Sequence, residues 1–416
     1  MKSDFHLRTT ETPLREFLKE HTCPNCGALK SMNVFYEVEN IPVHSVKLVH
    51  SHIEAIGFPK GNMQLGFCSS CGFISNIAFD SMKINYSSDC EETQGFSSTF
   101  NTFHRNLAQK LIGKYDLFNK DIIEIGCGKG EFLTMLCELG NNRGIGFDPA
   151  YVSMRNNSQA KERIKFIEEF YSEKYSNLKA DFICCKMTLE HIPNTLEFIS
   201  MLRRSIGDNL KTTVFFQIPD ITRILKDFAF WDIYYEHCSY FCPVSLEKLF
   251  LQAGFEVLDL YNVYDDQYLI IEAKASKETS SISSPLQPVD DLNEIYRLVS
   301  AFSENINKRF NSWREDIRRN YRDGKKIVIW GGGSKAVSFL TTLGITEEIE
   351  YVVDINPHKN GTFIVGTGQK VVLPDFLKDY RPDIVLIMNP VYLDEIRTIL
   401  FELALEPKLL PIETND

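Results

Sequence analysis

The 416-residue chain has no run of about 18 apolar residues, so no membrane-spanning helix is expected. Its first residues, MKSDFHLRTTETPL, lack the apolar core of a secretory signal. Basic residues are in deficit, 45 Lys and Arg against 56 Asp and Glu, for a net charge of −11. That balance excludes the broad basic face of a nucleic-acid binder. It leaves room for a small anionic ligand held by a few local donors. No internal repeat of fixed period and no sustained heptad seam is present, so a monomer is expected. Cysteine is absent after Cys242, although the chain has 11. The expectation is a cytoplasmic protein with reduced thiols, in which paired cysteines serve a metal rather than disulfides.

Four of those cysteines fall into two turns, Cys23-Pro24-Asn25-Cys26-Gly27 and Cys68-Ser69-Ser70-Cys71-Gly72. Two such turns complete a tetrahedron of thiolates and leave no position open for a catalytic water, which predicts a structural Zn2+. Unligated cysteines and a redox pair are the alternatives. From about residue 100 to 275, strand and helix patterns alternate. Helices are predicted over 101–115, 132–139 and 245–253, and strands over 121–125, 144–147, 182–185 and 213–218. Residues 255–261 and 267–273 read as a closing antiparallel pair. This alternation predicts a mostly parallel sheet covered by helices on both faces. The polar segment Ser276 to Pro288 reads as a linker. Ile295, Leu298, Phe302, Ile306, Phe310 and Trp313 then repeat at helical spacing. A second alternating unit begins after Gly324. Three domains are therefore expected: 1–95, 96–280 and 281–416.

The segment Asp121 to Gly130 is a strand, a turn with Gly126, Gly128 and Gly130, and a helix start. Glycines let a cofactor approach the main chain, but dinucleotide folds use similar turns. Two acidic residues narrow the choice. Glu124 lies inside the strand, and Asp148 closes a second strand about 20 residues on, where a carboxylate accepts from ribose hydroxyls. The helix start lacks the glycine spacing of the dinucleotide fingerprint. Further on, the stretch Phe230 to Phe241 concentrates Tyr234, Tyr235, Glu236 and His237. A histidine beside a carboxylate has the makings of a general base; a hydrogen-bonded core corner is the plainer reading. Gly331-Gly332-Gly333-Ser334-Lys335 leads from a strand into a helix and suits a phosphate.

The order ExGxGxG then GxDP resembles class I S-adenosylmethionine (SAM)-dependent methyltransferases. The whole chain resembles the sugar C-methyltransferases that act on nucleotide-linked keto-deoxysugars. The resemblance rests on the two CxxC pairs, on Leu189-Glu190-His191, on Tyr234-x-Glu236-His237, and on Asp354 to Gly361 with Val365-Gly366-Thr367. Val365 departs from the family pattern, which has Pro there. The resemblance implies an α/β architecture: a class I Rossmann-like SAM domain between a small N-terminal zinc-binding domain and a second, C-terminal Rossmann-like domain. It implies SAM on Glu124, Gly126, Gly128, Gly130 and Asp148, with zinc on Cys23, Cys26, Cys68 and Cys71. It implies a nucleotide-sugar substrate met by Tyr235, Lys335 and Lys359. Catalysis would fall to His237 as base, oriented by Glu236, with His191, Tyr234 and Tyr86 serving the developing enolate. The alternatives are an O- or N-methyltransferase, and a nucleotide-binding or oxidoreductase module.

Overall fold

The computed structural model describes residues 21–155, 158–277 and 290–413. Strands β1 (Met32–Pro42), β2 (Lys60–Cys68) and β3 (Ile74–Asn76) form an antiparallel N-terminal sheet. The middle domain follows with β4 (Asp121–Ile125), β5 (Arg143–Phe147), β6 (Ile164–Ile167), β7 (Phe182–Lys186) and β8 (Thr213–Pro219). A two-residue strand, β9 (Ser239–Tyr240), then leaves this domain and pairs with β3 of the N-terminal sheet. The chain returns through β10 (Phe255–Val263) and β11 (Tyr268–Ala275). The middle sheet has the order β10-β11-β8-β7-β4-β5-β6, parallel except for β11. That is the class I methyltransferase order, and the antiparallel closing pair is the one expected.

The C-terminal domain is an all-parallel sheet of β12 (Ile327–Trp330), β13 (Tyr351–Val353), β14 (Lys370–Val372), β15 (Ile384–Ile387) and β16 (Lys408–Pro411), ordered β14-β13-β12-β15-β16. In both parallel sheets the order reverses beside one central strand, β4 or β12. Ligands of such sheets bind at that switch point, outside the carboxyl ends of the strands. Each central strand ends in one of the glycine loops.

Local sequence explains where the elements stop. The helix Ser98–Tyr115 starts on Ser97, whose hydroxyl accepts from Phe100 N–H, and ends at Asp116 in the left-handed region. The helix Glu131–Gly140 ends the same way at Asn141. β4 is buried on both faces, which a central parallel strand requires. Elements without strong sequence signals, such as β6 and the helix Thr195–Ile206, fill the expected crossovers.

The long helix Asp290–Arg322 buries Ile295, Val299, Phe302, Ile306, Phe310 and Ile317 along one face. Phe302 packs on Tyr36 of β1, Phe310 on Phe230, and Trp313 on Phe339 of the C-terminal domain. One apolar core thus runs from the N-terminal sheet to the C-terminal domain. Each fully buried Phe in it contributes about 1.5–3 kcal/mol. The linker segment from residue 278 on lies outside the described residues.

Candidate active site

The first glycine loop is closed tightly by its neighbours. Gly126 has φ +69°, and a Cβ there would lie 2.0 Å from Thr188 Oγ1. Gly128 N–H donates to Asp148 Oδ2 at 2.8 Å, and Ala150 N–H donates to Oδ1 at 2.7 Å. Asp148, at the end of β5, thus anchors the loop. Glu124 departs from its expected role. It is buried behind the loop, where its carboxylate accepts from Leu133 N–H at 2.9 Å. Burial pushes its carboxyl up to about 8, against the opposing charge of Lys186. Glu124 therefore holds the helix Glu131–Gly140 against the loop, because its strand position aims it at the helix rather than at the crevice. Gly126→Ala is expected to weaken SAM binding at least about 10-fold and to cost about 1–3 kcal/mol of stability. Calorimetric titration and thermal melts check both.

The second glycine loop repeats the design. Gly331 has φ +109°, and Gly332 N–H donates to Asp354 Oδ2 at 2.9 Å. Asn356 N–H donates to Asp354 Oδ1 at 2.8 Å, and Lys359 Nζ donates to Oδ2 at 3.1 Å. The helix Ser334–Leu343 begins without a side-chain cap on Gly333. Its first N–H groups are therefore available to an anion. Lys335 donates to Asp232 at 2.7 Å.

Between the two domains lies a cavity of about 240 Å³. Tyr234, His237, Asp232 and Gln267 line it from the methyltransferase domain, and Gly331, Ser334, Lys335, Asp354 and Lys359 from the C-terminal domain. Glu92, which faces Gly128, and Met187 also line it, so the cavity extends to a side chain that packs on the first glycine loop. Tyr235 does not reach it. Its ring packs on Phe79 and Gly61, and its hydroxyl accepts from Asp80 N–H at 2.9 Å. Its expected contact with substrate is replaced by a place in the N-terminal core, because Tyr235 is a central residue of a turn closed by His237 N–H on the Tyr234 carbonyl and is carried away from the cavity.

The Tyr-Glu-His motif is arranged differently from the expected pair. Glu236 does not hold His237. Glu236 Oε1 accepts from His44 Nδ1 at 2.8 Å, and Oε2 accepts from Ser45 N–H at 2.8 Å and from the Ser45 hydroxyl. His44 Nε2 in turn accepts from Asn85 N–H at 2.9 Å, so the proton of His44 resides on Nδ1. The Ser45 hydroxyl also reaches Ser334 Oγ of the second glycine loop, 2.8 Å away. Burial alone would raise the Glu236 carboxyl; the hydrogen bond and electrostatic attraction of His44, the electrostatic attraction of His191 and the Ser45 bond outweigh it and hold the carboxyl below its ordinary value.

His191 Nδ1 lies 3.0 Å from the Glu236 carbonyl and 2.8 Å from Tyr86 Oη. A carbonyl only accepts, so Nδ1 carries the proton. The Tyr86 hydroxyl hydrogen is then free to serve another acceptor. The His237 ring packs 4.1 Å from Tyr234 and 4.8 Å from His191, centroid to centroid. Burial, aided by His191, holds His237 well below its ordinary range, so the ring is neutral.

The four CxxC cysteines converge. Their sulfurs lie within 4.8 Å of one another, with Cys23–Cys71 and Cys26–Cys68 both at 3.8 Å. Tetrahedral zinc with bonds of about 2.3 Å requires sulfurs about 3.8 Å apart. Asn25 Nδ2 and Ser31 Oγ approach Cys71 and Cys68 sulfurs at 3.8 and 3.2 Å, as donors to thiolates would.

A methyltransferase-domain family model matches residues 100–260, and a C-methyltransferase C-terminal domain model matches residues 276–404. The chain belongs to the SAM-dependent C-methyltransferases. This C-methyltransferase is 24% identical over 312 residues to C-methyltransferase NovU of Streptomyces niveus, covering 70% of this chain and 72% of that protein. It is 31% identical over 97 residues to a ribosomal protein L11 methyltransferase of Haemophilus influenzae, which is 22% of this chain and 33% of that one. Among solved structures, magnesium protoporphyrin IX methyltransferase of Synechocystis PCC 6803 with bound SAH aligns at TM-score 0.33 and 17% identity, covering 43% of this chain and 84% of that one.

Sequence reasoning missed His44, Ser45 and Asp232 as partners of the site. His44 and Ser45 carry no motif, and only the fold brings them to Glu236. Asp354 was findable, because it follows its glycine loop as Asp148 follows the first. His44→Ala is expected to cost about 3 kcal/mol at pH 7, since it deprives a buried carboxylate of its partner. The Glu236 carboxyl is depressed below its ordinary 4.5 in the fold. Its stabilisation is therefore present above that value and lost as pH falls through the folded one. The gap between wild type and His44→Ala should accordingly shrink in acid, which urea melts at neutral and acid pH measure.

Proposed function

We propose that this enzyme methylates the carbon beside the ketone, C3, of a nucleotide-linked 4-keto-deoxysugar, with His237 as the base. One observation carries the reading most. A neutral, buried histidine lines a cavity that takes in the second glycine loop and, through Glu92, extends to a side chain facing the first; each loop lies at a sheet's switch point. A methyl donor on one loop and a diphosphate on the other would flank that imidazole.

Gly126, Gly128, Gly130 and Asp148 would hold SAM, which supplies an electrophilic methyl group. A Cβ at Gly126 or Gly130 would fill space that the loop keeps closed to side chains, to within 2.5 Å of Phe166 at Gly130. The N-terminus of the helix Ser334–Leu343, Lys335 and Lys359 would receive the diphosphate. A carbon next to a carbonyl gives up a proton because the electron pair delocalises onto oxygen. His237 would take that proton at Nε2. The Tyr86 hydroxyl, freed by the His191 proton, would donate to the enolate oxygen, where a fixed donor is worth most. His191 then positions Tyr86 rather than donating itself. Tyr234 would hold the His237 ring from its other face. The Cys23, Cys26, Cys68 and Cys71 set would hold a structural zinc, with no step in catalysis.

An O- or N-methyl acceptor is the second reading; it needs no base set for carbon acid chemistry. The test is solvent deuterium uptake at C3 of a nucleoside-diphosphate-linked 4-keto-6-deoxyglucose, followed by NMR without turnover. Uptake by the wild type supports carbon acid chemistry, and its absence with a bound, methylated acceptor sinks it.

A further inference from the structure

With Glu236 committed to His44 and Ser45, the base lacks the carboxylate assigned to it from sequence. Among the described residues, His237 Nδ1 is buried without a hydrogen-bond partner. Both carboxylate oxygens of Glu190 are buried and without one as well. The two groups are neighbours: Glu190, His191 and His237 each offer an atom within 4.8 Å of the others. Glu190 is 1% exposed and His237 3%.

The two segments that carry them are laced together. His191 Nδ1 donates to the Glu236 carbonyl at 3.0 Å, Cys238 Sγ donates to the Glu190 carbonyl at 3.7 Å, and Ser239 Oγ donates to the Ile192 carbonyl at 2.7 Å. Residues 190–192 and 236–239 are thus fixed side by side, and β9 pins the second to the N-terminal sheet. An orphaned buried carboxylate is strongly destabilising. An orphaned imidazole nitrogen beside it is the obvious complement.

We infer that Glu190 is the positioning residue for His237: its carboxylate accepts the Nδ1 proton, directly or through one water, and so leaves the Nε2 lone pair facing the cavity. The inference rests on the proposed role of His237 and supplies what that role needs. When Nε2 takes the substrate proton, the C–H electron pair stays on the enolate. The resulting imidazolium stands against a fixed carboxylate. Burial, opposed only by a backbone hydrogen bond, pushes the Glu190 carboxyl up to about 8. Pairing with His237, whose remaining neighbours are the neutral His191, Tyr234 and Tyr240 rings, offsets the desolvation of both groups. The same three residues could instead ligate a divalent cation, which would block His237.

The test uses the full chain with 15N-labelled histidine. Long-range NMR of the wild type should show His237 protonated at Nδ1 and bare at Nε2. Glu190→Ala should shift it toward the Nε2-protonated form. The variant should also lose C3 proton exchange on the 4-keto-6-deoxyglucose probe by about 100-fold or more, at unchanged SAM affinity. Glu190→Gln keeps an accepting oxygen in the same volume. It should retain the Nδ1 tautomer while exchange still falls, and it serves if the Ala variant does not fold. An unchanged tautomer and unchanged exchange in these variants would overturn the inference. So would a second metal equivalent lost on replacing Glu190. If His237→Ala kept full exchange, the reading of His237 itself would fail, whatever the Glu190 variants did.

Discussion

Replacing His237 by Ala should reduce turnover by about 10²–10⁴-fold, the range a positioned general base supplies. SAM binding should be spared, because the imidazole lines the cavity and no residue of the first glycine loop does. The same variant should lose deuterium uptake at C3, which separates a failed proton transfer from a failed methyl transfer. Burial depresses the ring well below its ordinary range, so it is unprotonated and competent across neutral pH. The acid limb of the rate profile should therefore lie below the pH at which an exposed histidine titrates. A limb at the ordinary histidine value would place the base elsewhere.

Removing the zinc proposed for the cysteine cluster should have the largest effect on stability. Cys68 is fully buried, and the Cys68–Cys71 turn joins β2 to β3, the strand on which β9 pairs. The segment that carries His237 leads directly into β9. Loss of the ion should therefore disturb the catalytic loop as well as the N-terminal sheet. Wild-type protein should contain one zinc per chain by elemental analysis, and Cys68→Ser should contain none. The variant should lose at least about 3 kcal/mol, well within what structural zinc contributes to small domains. That corresponds to a fall in melting temperature of roughly 10 °C for a domain of ordinary size. Metal-free protein with native stability and full activity would contradict the assignment.

The architecture was largely legible in the sequence because its signals are local. Periodicity marked β4, β7, β8 and the long helix, and glycine turns marked both switch points. The cysteine pairs also met where the spacing of two CxxC turns predicted. The partners of the motif residues were not legible. The sequence proximity of Glu236 and His237 suggested a pair, yet Tyr235 and Glu236 are the central residues of a turn closed by His237 N–H donating to the Tyr234 carbonyl at 3.1 Å, which carries Glu236 away from His237. Glu236 turned to His44 and Ser45, which arrive from a different domain. Tyr235 was drawn into the N-terminal core for the same reason. Glu124 carried the right residue type for a cofactor contact, but its strand register aimed it at a helix terminus. Motifs located the site to within a loop, and tertiary contacts decided which atom does what.

The most direct test of the account follows the methyl group itself. The enzyme would be given SAM carrying a 13C-methyl group and a nucleoside-diphosphate-linked 4-keto-6-deoxyglucose, and the product examined by long-range carbon–proton correlation. The account predicts a methyl carbon bonded to C3 and correlated with the adjacent carbonyl carbon. A methyl group bonded to oxygen or nitrogen would contradict it.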